Sequence, residues 1–251
     1  MYTTDQYEGL MAETVTMTGA NGDAINAFFA RPLGDGPFPA MVLAHHMPGW
    51  DQWYRETTLK FALRGYIVIT PNLYFRAGHG TPEDVAAKVR ADGGIADDSA
   101  VGDLEGGMRY IRALAYSNGR VGIFGTCSGG RHAYLTACRV KGFDAVVDCW
   151  GGRVVMAPDA LNAKTPVSPH ELTRDLPCPI LGLFGNDDSS PTPAQVDQLE
   201  AELKKHGKTY EFHRYDGAGH GFFYHHTASY RQAQAMDGWG RVWAFLERYL
   251  S

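Results

Sequence analysis

Short apolar runs alternate with amphipathic stretches along most of the chain. Pro39 to Ala44, Tyr66 to Thr70, Val121 to Phe124, Phe143 to Trp150 and Pro179 to Phe184 are almost continuously apolar over strand length. That is the pattern of strands buried on both faces. Helical spacing is read in Gln52 to Arg64 (stopped by Gly65), from about Pro82, Asp97 to Ala115, Arg131 to Cys138, Pro193 to His206, and Tyr230 to Tyr249. Near the start, Glu13 to Thr18 alternates, Gly19 to Asp23 turns, and Ala24 to Ala30 alternates again, predicting an edge hairpin. Tyr210 to Tyr215 reads as the last strand, and 151–177 as a Pro-containing connection without clear periodicity. Strands alternating with helices predict an α/β fold with a doubly wound, mostly parallel sheet. With 251 residues, no repeat and no linker, one domain over 1–251 is expected.

The strand Val121 to Phe124 runs into Gly125-Thr126-Cys127-Ser128-Gly129-Gly130. Strand, glycine-flanked sharp turn and helix form the context of a nucleophile elbow, which lifts one side chain above the sheet. Glycine is required where a Cβ would collide as strand and helix pass closely. The apex is Cys127, so the nucleophile would be a thiol, reactive as the thiolate. A plain Gly-rich turn holding a buried cysteine is the alternative reading of these residues.

A thiol nucleophile needs a base, and the base needs an orienting acid. In an α/β-hydrolase the order is nucleophile, acid, His. The strand Pro179 to Phe184 ends in Gly185-Asn186-Asp187-Asp188, placing an acid at a strand tip. Tyr210 to Tyr215 runs into Asp216-Gly217-Ala218-Gly219-His220-Gly221-Phe222, placing His220 on a glycine-flanked loop. A helix N-cap for Asp188 and a solvated loop position for His220 are the competing accounts.

These segments resemble the dienelactone hydrolase family, a cysteine-nucleophile branch of the α/β-hydrolases. The resemblance spans nearly the whole chain. It includes Pro71 to Arg76, the run Asp103 to Gly122, the Cys elbow, Gly185 to Asp188 and Gly219 to Phe222. It implies an α/β-hydrolase fold, with Cys127 as nucleophile, His220 as base and Asp188 as acid. Asp187 is set aside because the family places the acid three residues after the glycine. The implied reaction is hydrolysis of a carboxylic ester or lactone, of carboxymethylenebutenolidase type, through an acyl-thioester.

Acyl transfer needs N–H groups aimed at the developing oxyanion. One is expected from Ser128, at a helix N-terminus that also favours a thiolate. Matching to the family places the second at Met47, in the loop Ala44 to Trp50. Two departures follow from the same match. His46 stands where the family carries a Glu that contacts the resting thiol, and is expected to change how the thiol is activated. Of the two arginines that hold a substrate carboxylate, Arg76 matches one, but Tyr224 replaces the other. Tyr lacks the charge and the two-pronged geometry of Arg, which predicts a neutral or less acidic substrate. Trp50, Trp53, Phe75, Trp150, Phe222, Phe223 and Tyr224 could line an aromatic pocket or belong to the core. Arg131 beside the elbow could bind substrate or be an ordinary helix charge.

The formal net charge of −5 recommends neither nucleic acid nor an anionic membrane as partner. Met1 to Gln6 lacks a signal-peptide pattern, and no run is long enough to span a membrane. Cys127, Cys138, Cys149 and Cys178 form no CxxC pair, so reduced thiols and a cytoplasmic setting are expected. His45-His46, His79, His220 and His225-His226 show no helical metal-ligand spacing, and neither metal nor cofactor is expected. The expected partner is a small ester or lactone, the assembly a monomer or small homo-oligomer. Hydrolysis of a thioester or activated C–C bond shares the same triad. A redox role for Cys127 would want a nearby resolving cysteine.

Overall fold

The structure is a computed structural model, and it describes residues 9–251. The reading of Met1 to Gln6 lies outside the described residues. Eight strands form one sheet: β1 (Leu10–Thr18), β2 (Ala24–Pro32), β3 (Phe38–Ala44), β4 (Ile67–Pro71), β5 (Ser117–Thr126), β6 (Ala145–Cys149), β7 (Ile180–Gly185) and β8 (Tyr210–Tyr215). Their order across the sheet is β1-β2-β4-β3-β5-β6-β7-β8. β1 and β2 pair antiparallel as the expected edge hairpin, and β2 meets β4 antiparallel. From β4 to β8 every pair is parallel. This is the α/β-hydrolase architecture.

Six helices cover the sheet: α1 (Gln52–Ala62), α2 (Pro82–Ala91), α3 (Asp97–Arg112), α4 (Ser128–Arg139), α5 (Pro193–Lys205) and α6 (Gln232–Leu250). Alternation along each strand divides the core in two. Val42, Ile123 and Val146 face Leu104, Met108 and Leu135 of α3 and α4. Met41, Leu43, Phe124 and Val147 face Phe61, Val242 and Phe245 of α1 and α6. Burial on both faces is why these strands lack the polar alternation seen in β1.

Several boundaries differ from the pattern. α3 stops at Arg112 rather than Ala115, and β6 is trimmed to Ala145–Cys149 because Trp150 turns to φ 41°. α4 starts at Ser128, three residues before the expected Arg131, because the elbow itself forms its first turn. The connection 151–177 contains two short 3₁₀ helices, Pro158–Ala160 and Pro169–Asp175. No helix among the described residues is long and apolar enough to cross a membrane.

Chain order reverses at the centre of the sheet. From β3 the chain first moves to β4 on one side, then crosses to β5 on the other and continues outward. Ligands of open α/β sheets bind in the crevice outside the carboxyl ends of such strands. The loop after β3 and the turn after β5 meet there.

Candidate active site

Cys127 follows β5 and caps α4 with φ 55° and ψ −125°, a strained backbone for a residue with a Cβ. Close packing holds it there. A Cβ on Gly125 would stand 2.0 Å from the Gly129 carbonyl oxygen, and one on Gly129 2.0 Å from that of Ala44. The Cys127 N–H donates to the Cys149 carbonyl at 3.0 Å, tying the apex to β6. Ser128 follows as the first residue of α4, where N–H groups have no intrahelical partner.

β7 ends just before Asp187 and Asp188. Asp188 is buried and Asp187 exposed. The Ser190 N–H donates to Asp188 Oδ1 at 2.8 Å, and Oδ2 receives His220 Nδ1 at 2.9 Å. The loop after β8 comes this close because Gly185 has no side chain. A Cβ there would meet the Ala218 carbonyl oxygen at 2.2 Å, while the Asp187 N–H donates to that same oxygen. Burial alone would lower the His220 pKa. The hydrogen bond to Asp188, then the interaction with Cys127, outweigh it and raise the pKa to about 10. The three residues expected to act together are therefore brought together.

Met47 and Ser128 line one cavity of about 330 Å³, shared with Tyr74, Arg131 and His132. Met47 lies on an exposed loop whose carbonyl accepts from the Tyr74 hydroxyl at 3.1 Å.

The sequence profile of the dienelactone hydrolase family matches residues 25–250. The chain belongs to the dienelactone hydrolase family. It is 32% identical over 243 residues to a protein of Escherichia coli named "Putative carboxymethylenebutenolidase", covering 93% of this chain and 86% of that one. It is 26% identical over 252 residues to a "Probable 2-oxo-3-(5-oxofuran-2-ylidene)propanoate lactonase" of Bradyrhizobium, covering 96% and 98%. The crystal structure described as "Putative Dienelactone Hydrolase" from Klebsiella pneumoniae superposes with a TM-score of 0.87 at 28% identity, covering 96% of this chain and all of that one. Family membership makes the chain a hydrolase of the lactone and ester class.

Other residues matched to the dienelactone hydrolase pattern sit differently. Arg76 is spent on structure: its guanidinium grips both oxygens of buried Asp103 at 2.8 and 3.0 Å and Asp23 at 2.7 Å. Trp50 donates to the Thr70 carbonyl at 3.0 Å and stacks on Arg55, in a different cavity from Ser128. Phe222 is fully buried against Trp150. Tyr224 is also buried. Its hydroxyl meets Thr126 Oγ1 at 2.8 Å, and the Tyr54 hydroxyl meets the same atom at 3.0 Å. Burial, then Tyr54 and Cys127, push the Tyr224 hydroxyl well above the usual tyrosine range. His46 is buried among Trp53, Tyr54 and Tyr224, and its Nε2 lies 2.7 Å from Asp51 Oδ2. Its Nδ1 has no partner.

Arg131 is buried and paired with Asp97 through both Nη atoms, and its Nε donates to the Arg153 carbonyl at 3.2 Å. Nothing in the sequence announces this pair, which spans 34 residues. His45 donates from Nδ1 to the His46 carbonyl and accepts the Leu73 N–H on Nε2. Burial pushes its pKa down to about 4, so it acts as a neutral brace. No group of three or more metal-ligating side chains occurs among the described residues. Cys138, Cys149 and Cys178 are buried, and burial pushes each thiol up. Cys127 alone is half-buried.

Proposed function

We propose that the chain hydrolyses a small carboxylic ester or lactone through a Cys127-His220-Asp188 triad and an acyl-thioester. The Cys127 thiolate adds to the carbonyl carbon, and the N–H groups of Ser128 and Met47 hold the oxyanion. On collapse the C–O bond breaks, and the leaving alkoxide takes a proton from the His220 imidazolium. His220, now neutral, removes a proton from water, which adds to the thioester. The second collapse expels the Cys127 thiolate and releases the acid. Asp188 fixes the His220 ring through Nδ1 and leaves Nε2 for the reacting groups.

The observation that carries this reading is a single constellation. A strained, half-exposed cysteine at a strand-helix turn acts on a histidine that a buried aspartate holds at 2.9 Å. The Bradyrhizobium lactonase supports the same bond type. The test is burst kinetics with p-nitrophenyl acetate. A burst proportional to enzyme, absent in Cys127→Ala, is expected. Steady turnover retained by Cys127→Ala would overturn the reading.

A further inference from the structure

Three buried hydroxyls meet at Thr126, the residue before Cys127. Thr126 Oγ1 lies 2.8 Å from the Tyr224 hydroxyl and 3.0 Å from that of Tyr54, and the Thr126 N–H donates to the Tyr54 oxygen at 3.0 Å. Tyr54 comes from α1, Thr126 from the end of β5, and Tyr224 from the segment between β8 and α6. Cys127 packs against the apolar cluster that holds Tyr54, Trp150 and Tyr224. Tyr224 does not line the cavity shared by Met47 and Ser128, so its hydroxyl serves the elbow rather than that cavity.

The hydrogens of this chain of hydroxyls give it a direction. Its two oxygen-oxygen contacts use two of the three hydroxyl hydrogens. Tyr54 is wholly buried, and its oxygen has no partner beyond Thr126 among the described residues, so its O–H donates to Thr126 Oγ1. Thr126 in turn donates to Tyr224. The Tyr224 hydrogen is left to point out of the chain. Burial, then Tyr54 and Cys127, push the Tyr224 hydroxyl well above the usual tyrosine range, and burial does the same to Tyr54. Both phenols therefore stay protonated, and hydroxyls in series polarise one another toward a nearby anion. The other titratable groups about this point are His220 backed by Asp188, Tyr74 from the loop after β4, His46 backed by Asp51, and His226. None of them belongs to the hydroxyl chain.

We propose that Tyr224 is a positioning residue for the Cys127 thiolate, orienting it through Thr126 and turning the last O–H of the Tyr54-Thr126-Tyr224 chain toward the sulfur. This role rests on the acyl-thiol reading, and it replaces the substrate contact expected of Tyr224.

The test uses wild type, Tyr224→Phe, Thr126→Val, Thr126→Ser, the double variant Thr126→Val/Tyr224→Phe, and Tyr110→Phe, whose ring packs on the other face of the sheet. Two quantities are measured: the pH profile of Cys127 alkylation by iodoacetamide, and kcat and KM for p-nitrophenyl acetate. Tyr224→Phe should move the alkylation midpoint upward by about half a unit or more and lower kcat by about tenfold, with KM within about twofold. Thr126→Val should shift both in the same direction, and Thr126→Ser, which keeps the hydroxyl, should stay within about threefold of wild type in kcat. The double variant should be no worse than the worse single variant, because both cut one chain. Tyr110→Phe should match wild type. An alkylation profile unmoved in Tyr224→Phe, or losses that multiply in the double variant, overturns the role. If wild type does not turn over the ester, the acyl-thiol reading fails separately and the alkylation profiles alone decide: a midpoint moved in Tyr224→Phe and restored in Thr126→Ser upholds the role. Wild type that resists alkylation at every pH overturns it.

Discussion

Asp188 Oδ2 and His220 Nδ1 meet at 2.9 Å across the tips of β7 and β8, 32 residues apart in sequence. Asp187, one residue earlier, points to solvent. The two carboxylates therefore predict different outcomes. Asp188→Asn should lower kcat/KM by about 10²–10⁴-fold, because the ring loses the partner that orients it. Asp187→Asn should stay within about threefold, as expected of a surface change. Equal losses in both variants would contradict the assignment.

The same pair predicts a titration. His220 is raised to about 10, against the downward pull of burial. Its stabilising interaction is thus fully present below the unfolded value of about 6.5 and is lost as pH rises from there through about 10. Histidine NMR at pH 8 should show His220 still protonated in wild type and less so in Asp188→Asn. A wild-type midpoint near 6.5 would contradict this.

Much of this was legible from the chain, for reasons of sterics. The elbow needs Gly125 and Gly129 because backbone atoms pass within 2.0 Å of where a Cβ would sit, and such needs leave a local signature. Asp188 and His220 were legible because strand ends are marked by the pattern of apolar runs. The role of Arg76 was not. Its partners Asp23 and Asp103 lie 53 and 27 residues away, and ion pairs at such separations leave no trace in local spacing. Aromatic residues were ambiguous for a similar reason. Phe222 and Trp50 have the composition of a pocket wall, yet one is core and the other braces Thr70.

Asp148 predicts a pH-dependent stability. It lies on β6, fully buried beneath the elbow, with Oδ1 accepting from the Gly151 N–H at 2.8 Å and Oδ2 unpartnered. Burial raises its pKa from 3.8 to about 7, against the Gly151 hydrogen bond. Between these values the folded chain holds a proton that the unfolded chain has lost. Stability should therefore fall as pH rises from about 4 to about 7 and change no further from this group above that. Urea titrations of wild type and Asp148→Asn should show the variant lacking this decline, a difference on the order of 1–4 kcal/mol. Parallel pH profiles would contradict it.

Gly129 tests the steric account of the elbow. Its added methyl would overlap the Ala44 carbonyl oxygen at 2.0 Å, with backbone on both sides and no flexible side chain to yield. Gly129→Ala should cost about 3 kcal/mol or more, read as a lower urea midpoint. Gly240→Ala, where nothing lies within 4 Å, should be neutral or slightly stabilising. Similar midpoints for the two variants would refute the argument.

His46 is not a simple stand-in for a carboxylate. Its Nε2 faces Asp51, which also caps α1 by accepting the Tyr54 N–H at 3.1 Å. Burial would raise the Asp51 pKa, but the His46 hydrogen bond and charge outweigh it, and the pKa is lowered. His46→Glu would set a buried carboxylate beside the partly buried one of Asp51. It should destabilise by about 2–4 kcal/mol at pH 8 and by less at pH 5, where one of them accepts a proton. A variant as stable as wild type at pH 8 would show that the His46-Asp51 contact carries no weight.

The central claim is that Cys127 carries the acyl group. The most direct measurement is peptide-mapping mass spectrometry of enzyme quenched in acid during turnover of p-nitrophenyl acetate. An acetyl group is expected on the peptide containing Cys127, removed by neutral hydroxylamine and accumulating further in His220→Asn. An acetyl group on Ser128, or turnover with no adduct on Cys127 in either protein, would contradict it.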